Sequence, residues 1–222
     1  RLFADHVDAR LLDAAKRDGW SPALWDIVEA AQLPLVSIAE EAGGAGGSVS
    51  DLAAVLRIAG RFAAPIPLAE TATAGWMLAC CGLPIASGPL AFGPVHGETV
   101  TAHRHGAQWR LSGSMRRVPW ARIAQRLVVL ASGPDGDIVA CVDPMQCRIS
   151  AGRNLADEPR DDVVLDNVVV SGSLAAPAAA GVNHAALKLR GALARSLLMA
   201  GALERALELA VRYATERSQF GR

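Results

Sequence analysis

From about His184 to Glu216 the chain runs for some thirty residues without a proline, and Leu189, Leu193, Leu197, Ala200, Leu207 and Val211 recur near helical spacing. One helix over this stretch would span about 45 Å, at roughly 1.5 Å per residue. A helix of that length does not stand alone beside a small domain. Gly191, Ala194, Gly201 and Ala202 on it would let neighbouring helices approach closely. The stretch predicts one member of a helical bundle whose other helices lie outside this sequence.

The rest of the chain divides in two. Its first third is helical in pattern. Ser21-Pro22 starts a helix that ends before Leu33-Pro34, because serine accepts from the first free amides and proline suits the first helical position. Ser50 is a candidate cap for a second helix closed at Gly60, and a third runs from about Leu68 to Gly82. From residue 88 short β-type runs take over: Thr99–Ala102, Gln108–Leu111, Leu127–Leu130, Ile138–Val142 and Val163–Leu165. Turn signals separate them at His105-Gly106, Ser112-Gly113, Gly133–Gly136 and Asp166-Asn167. Many short strands without intervening helices predict an antiparallel β-barrel or sandwich. The expected architecture is therefore α+β. It comprises an N-terminal helical domain (1–87), a middle antiparallel β-barrel domain (88–177) and the first long helix of a C-terminal helical bundle (178–222).

Composition excludes several functions. The hydrophobic fraction is 51% and the charged fraction 20%, as in ordinary folded proteins rather than disordered ones. The 22 basic residues balance 22 acidic ones, so no basic field exists to neutralise nucleic-acid phosphates. No apolar run reaches the roughly 18–20 residues of a membrane helix. The start lacks the order of a signal peptide and also lacks a methionine, which places the expected native start upstream. Cys80, Cys81, Cys141 and Cys147 form no CxxC and fit buried free thiols in a reducing cytoplasm.

Other constellations carry no chemistry. Gly43-Gly44-Ala45-Gly46-Gly47 follows an apolar run, but Val49 stands where a dinucleotide fingerprint needs its third glycine, and Glu40 and Glu41 would repel a pyrophosphate. A flexible interhelical loop is expected there. His96, His103 and His105 lack cysteine or carboxylate companions, so a surface hairpin tip is expected rather than a metal site. The five tryptophans are scattered, which suits core anchors better than a stacking platform.

The segment Tyr213-Ala214-Thr215-Glu216-Arg217-Ser218-Gln219-Phe220-Gly221-Arg222 at the end of the long helix resembles the Y-A-x-x-R-x-Q-F-G-[KR] segment of the acyl-CoA dehydrogenase family. Glu40–Gly47 is similar to that family's E-x-x-G-G-x-G loop. Leu111-Ser112-Gly113-Ser114, with Val118 and Ala124, resembles a stretch of its middle domain. The resemblance implies a flavoprotein using FAD to remove hydrogens from C2 and C3 of an acyl-CoA thioester. It also implies a homo-oligomer or a heteromer with a partner subunit, and an electron-transfer flavoprotein as acceptor. In the family the R-x-Q-F-G segment reaches a neighbouring subunit's FAD, which makes Arg217, Gln219, Phe220 and Gly221 the candidate cofactor-binding residues. A planar guanidinium suits phosphate oxygens, and glycine permits close backbone approach.

The sequence departs from the family at two places. Where members carry an aromatic-Val/Ile-Thr stretch whose threonine bonds the flavin, Arg117-Val118-Pro119 stands here, and Pro119 has neither hydroxyl nor amide hydrogen. Phe92–Gly97 does not match the T-E-P-x-x-G-S loop. A flavin role is expected of neither stretch. No catalytic base is assigned either, since Glu204, Glu208 and Glu216 fit solvated helix-face residues. The expectation is a degenerate flavin pocket in a chain that lends Arg217 and Gln219 to a partner's FAD. The alternatives are a non-catalytic structural partner subunit, and an oxidase or monooxygenase of the same fold.

Overall fold

The computed structural model describes residues 1–217. Five helices come first: α1 (Leu2–His6), α2 (Ala9–Asp18), α3 (Pro22–Ala30), α4 (Val49–Arg61) and α5 (Leu68–Cys80). Each longer helix begins where its local chemistry permits. Ser21 Oγ accepts from the Leu24 amide, and Pro22 occupies the first helical position of α3. The cap of α4 is Ser48 rather than Ser50, because only Ser48 has an acidic residue three positions on. Its hydroxyl accepts from the Asp51 amide while the Asp51 carboxylate accepts from the Ser48 amide, a reciprocal capping box.

Eight strands follow: β1 (Leu90–Gly93), β2 (Val100–His105), β3 (Gln108–Pro119), β4 (Arg126–Gly133), β5 (Gly136–Val142), β6 (Arg148–Ser150), β7 (Arg160–Ser171) and β8 (Ala175–Pro177). The sheet order is β6-β7-β3-β2-β4-β5-β8, with β1 beside β4. Most pairings are antiparallel as expected. The pairings of β4 with β1 and with β2 are parallel, so the sheet is mixed. The apolar run of β4 is buried on both faces: Leu127, Val129 and Ala131 enter the core enclosed by the sheet, while Val128 and Leu130 pack against α5.

Two expected turns prove to be one bulge. Ser112-Gly113 and Asp166-Asn167 face each other where β3 and β7 shift register between Leu111 and Gly113. Gly113 (φ 146°) and Asn167 (φ 50°) take the unusual backbone there, and the Asn167 amide donates to Ser112 Oγ at 3.1 Å. Turn-type residues thus bend two long strands rather than ending them. The turns at Gly106 and at Gly133–Gly136 do connect hairpins.

The long helix α6 spans His184–Glu216, with Asn183 as its cap. It crosses α4 at backbone contact. A Cβ at Gly60 would overlap the Leu198 carbonyl oxygen, and one at Gly201 would overlap the Arg57 carbonyl oxygen. Beside this crossing Arg57 pairs with Glu204, and both guanidinium nitrogens of Arg61 donate to Glu208, one at 2.6 Å. Along its length the helix exposes Leu189, Leu193, Met199, Leu203, Leu207 and Val211. These positions lie along one face of α6.

Candidate functional site

A cleft of ≈ 360 Å³ opens where α5, α6 and the sheet meet. Ala69, Glu70 and Thr73 of α5 form one wall. Phe92 at the end of β1, with Val95 and His96 after it, forms the second. Arg117 and Pro119 of β3 with Arg160 of β7 form the third, and Leu187, Lys188, Gly191, Ala192, Ala194 and Arg195 of α6 close the last. Positions 188, 191, 192 and 195 share one helix face by their spacing of three and four. Gly191 leaves open space above that face, since an added Cβ would meet nothing within 4 Å.

A chain of charges runs along one side of this cleft. Glu70 is 4% exposed and accepts from Arg195. The Glu70 carboxylate holds the Arg195 guanidinium above the usual arginine range. Arg195 also lies 3.6 Å from Glu158, whose other oxygen accepts from Arg160 at 2.7 Å and from Asn154 at 2.9 Å. Two arginines are thereby matched by two carboxylates. Arg117 and Lys188, also on the cleft, form no ion pair among the described residues.

Arg117 reaches the cleft through a second irregularity of β3. The register shifts between Met115 and Val118, Arg117 adopts φ 53°, and its backbone amide donates to Asp162 at 2.8 Å. A side chain that would alternate along a regular strand is re-aimed by the bulge. Trp120 (φ 60°) follows, buried at 2% exposure, with its indole N–H lacking an acceptor among the described residues.

Of the residues expected at a cofactor site, Arg217 is described and caps the C-terminus of α6. Its amide donates to the Tyr213 carbonyl, and its guanidinium lies 5.4 Å from the Tyr213 ring centroid. Gln219, Phe220 and Gly221 lie outside the described residues. Glu204 and Glu208 are not simply solvated, since they tie α6 to α4, and the hydrogen bonds from Arg61 lower the Glu208 carboxyl below its usual range. Glu216 sits 3.9 Å from Arg212, one turn earlier on α6.

The glycine loop is not loose. The amides of Gly43, Gly44, Ala45, Gly46 and Gly47 all donate to carbonyls of residues 35–40, leaving none to hold a phosphate. His103 and His105 are exposed on β2 before the hairpin turn, and no set of metal-ligating side chains occurs among the described residues. His96 differs: it lines the cleft, a placement its sequence surroundings did not signal. All four cysteines are free, but only Cys141 is buried as expected: Cys81 and Cys147 are half-buried and Cys80 is exposed. Burial pushes the Cys147 thiol up to about 11. No helix among the described residues is long and apolar enough to cross a membrane.

No protein-family model and no characterised protein sequence matches the chain. Solved structures do. A variant of the Tcur3481-Tcur3483 steroid ACAD, an acyl-CoA dehydrogenase, is 29% identical with a TM-score of 0.78, and the match covers 100% of this chain and 65% of that one. The ChsE4-ChsE5 complex from Mycobacterium tuberculosis is similar at 23% identity and a TM-score of 0.76, over 99% of this chain and 67% of that one. FkbI, of the biosynthesis of the methoxymalonyl extender unit of a polyketide immunosuppressant, matches at 20% identity and a TM-score of 0.85, over 100% of this chain and 70% of that one. The chain spans less than two thirds of the length of the steroid ACAD chain. From its first helix to Arg217 it has the acyl-CoA dehydrogenase fold.

Proposed function

We propose that this chain is a subunit of an acyl-CoA dehydrogenase-type flavoprotein, which carries out α,β-dehydrogenation of an acyl-CoA thioester with FAD at a subunit interface. The observation that carries the reading is the fold. A likeness to a steroid ACAD extends over the whole chain, and α6 ends on the arginine that opens the R-x-Q-F-G segment. Arg217 is exposed and has no carboxylate partner among the described residues, which suits a phosphate-binding guanidinium. Gln219, Phe220 and Gly221 complete the proposed contact with the cofactor. An electron-transfer flavoprotein is the proposed acceptor, and fatty-acid or lipid metabolism the setting.

In this proposal the flavin ring does not sit in the chain's own cleft. What supports that part of the reading is the loss of one donor: where members of the family carry a threonine that bonds the flavin, Pro119 offers neither N–H nor hydroxyl, and the Thr73 hydroxyl on the opposite wall donates to the Ala69 carbonyl at 2.9 Å. The FAD of this proposal is therefore one that a companion subunit holds and that this chain's Arg217 end completes. The same observation favours the second reading, a non-catalytic structural partner in a heteromer.

The two readings separate on one comparison. The chain is co-purified with a co-expressed companion subunit of the same fold, and the complex is titrated anaerobically with acyl-CoAs. Bleaching of the flavin marks the complex as a dehydrogenase under either reading, and the Arg217 variant separates the two. Arg217→Ala is expected to weaken FAD retention by about tenfold or more, the worth of one charge-assisted phosphate contact. Unchanged retention in that variant assigns the chain the structural role alone.

A further inference from the structure

We infer that Cys80, the last residue of α5, is a site of reversible thiol modification that takes up an anionic low-molecular-weight thiol from its disulfide. Its surroundings mark it off from the other cysteines. Cys80 is exposed, whereas cysteine is among the residues most often buried. Trp76 lies four residues earlier on the same face of α5, and the Arg190 guanidinium of α6 stacks over its ring at 3.7 Å. Burial lowers the Arg190 guanidinium below the usual arginine range, and the charge of Cys80 acts in the opposite direction, so the two stand within electrostatic reach. Arg190 forms no ion pair among the described residues. A guanidinium stacked by its flat face keeps its edge N–H groups for an incoming carboxylate. An exposed thiol beside such a cation is the setting in which cysteines react.

The adjacent Cys81 decides the product. Its sulfur accepts from the Ala179 amide at 3.4 Å, which ties it to the segment between β8 and α6. Consecutive Cα atoms lie about 3.8 Å apart, below the roughly 4.4–6.8 Å of ordinary disulfides, so a ring closed between Cys80 and Cys81 would be strained and readily reduced. Burial also pushes the thiols of Cys81, Cys141 and Cys147 up, away from the thiolate form that attacks a disulfide. The chemistry is therefore a single exchange. The Cys80 thiolate, its proton lost to solvent, attacks one sulfur of a carboxylate-bearing disulfide of the glutathione class. The new sulfur–sulfur bond forms as the old one breaks, and the leaving thiolate takes a proton from water. Cys80 is oxidised and the departing thiol is reduced. The inference does not depend on the shared-flavin reading, since it uses neither Arg217 nor the cleft.

The test incubates the full, folded chain with glutathione disulfide or with cystamine, a cationic disulfide, and follows the intact mass. Each rate is divided by that of the same disulfide with 2-mercaptoethanol, which removes the reagent's own reactivity. One glutathione adduct is expected, located at Cys80 by peptide mapping. The normalised rate with glutathione disulfide should exceed that with cystamine by about threefold or more. Cys80→Ser is expected to abolish the adduct and Cys81→Ser to leave it in place. Arg190→Gln should remove the preference for the anionic disulfide, while Arg190→Lys, which keeps the charge, should retain most of it. The inference is overturned by the absence of an adduct, by an adduct on another cysteine, or by loss of two hydrogens as the final product, which marks a closed ring. A preference that is missing, that survives Arg190→Gln, or that is lost in Arg190→Lys overturns it as well.

Discussion

Gly201→Ala is expected to destabilise the chain by about 2–3 kcal/mol, although alanine is the better helix former by about 1 kcal/mol. The added methyl would overlap the Arg57 carbonyl oxygen and also lie 2.8 Å from the Arg61 amide nitrogen, both parts of the α4 backbone. Backbone cannot rotate away as a side chain can, so the helices must separate, weakening the packing around Ala59, Ala194 and Leu198 and stretching both ion pairs beside the crossing. The control lies on the same helix. Gly191→Ala meets nothing and is expected to stabilise by about 0.5–1 kcal/mol. Urea unfolding of the two variants should therefore shift the midpoint in opposite directions. A rise in both would mean that α6 does not rest on α4 at Gly201.

Asp161→Ala is expected to cost about 2–3 kcal/mol. Asp161 is fully buried and accepts from the Arg122 amide at 2.8 Å, from Arg122 Nε at 2.9 Å and from the Gly152 amide at 3.2 Å. Removing one member of a buried pair generally costs about 3–5 kcal/mol, and the figure is discounted here because the Arg122 side chain is 29% exposed. The two orphaned amides account for much of the remainder. Because Arg122 is the middle residue of the short turn Ala121–Ile123 after Trp120, the loss should loosen the approach from β3 to β4. Arg122→Met, which removes the charge but keeps much of the bulk, should cost less than Asp161→Ala. Equal costs would place the energy in the ion pair itself.

What the sequence made legible follows from how local each signal is. The long helix was legible because no proline interrupts the helical recurrence of its apolar residues from about His184 to Glu216. The strands β4 and β5 were legible because each is a dense apolar run buried on both faces. The four-residue β1 was not. It is held from outside by Thr71 of α5, whose hydroxyl accepts from the Leu90 amide at 3.0 Å, a contact nineteen residues away in sequence. The bulge at Ser112-Gly113 and Asp166-Asn167 was mistaken for two turns because the same residue types serve both geometries; only the pairing of β3 with β7 distinguishes them.

The site divides along the same line. Arg117 and Pro119 stood out as a departure from a family pattern, while their partners in the cleft did not. Glu70 looks in sequence like an exposed helix residue, and its burial depends on Arg195, far along the chain. Lys188 is one of only two lysines, yet nothing local to it indicates a cleft. Tertiary placement, not residue type, makes these side chains a set.

The central claim is that this chain completes a flavin site held by a companion subunit rather than holding FAD in its own cleft. Visible absorption spectra test it most directly, recorded for the chain purified alone and for the chain co-purified with its companion. The account predicts a colourless lone chain and a yellow complex whose FAD content drops on Arg217→Ala. A stoichiometric yellow protein from the lone chain would contradict it.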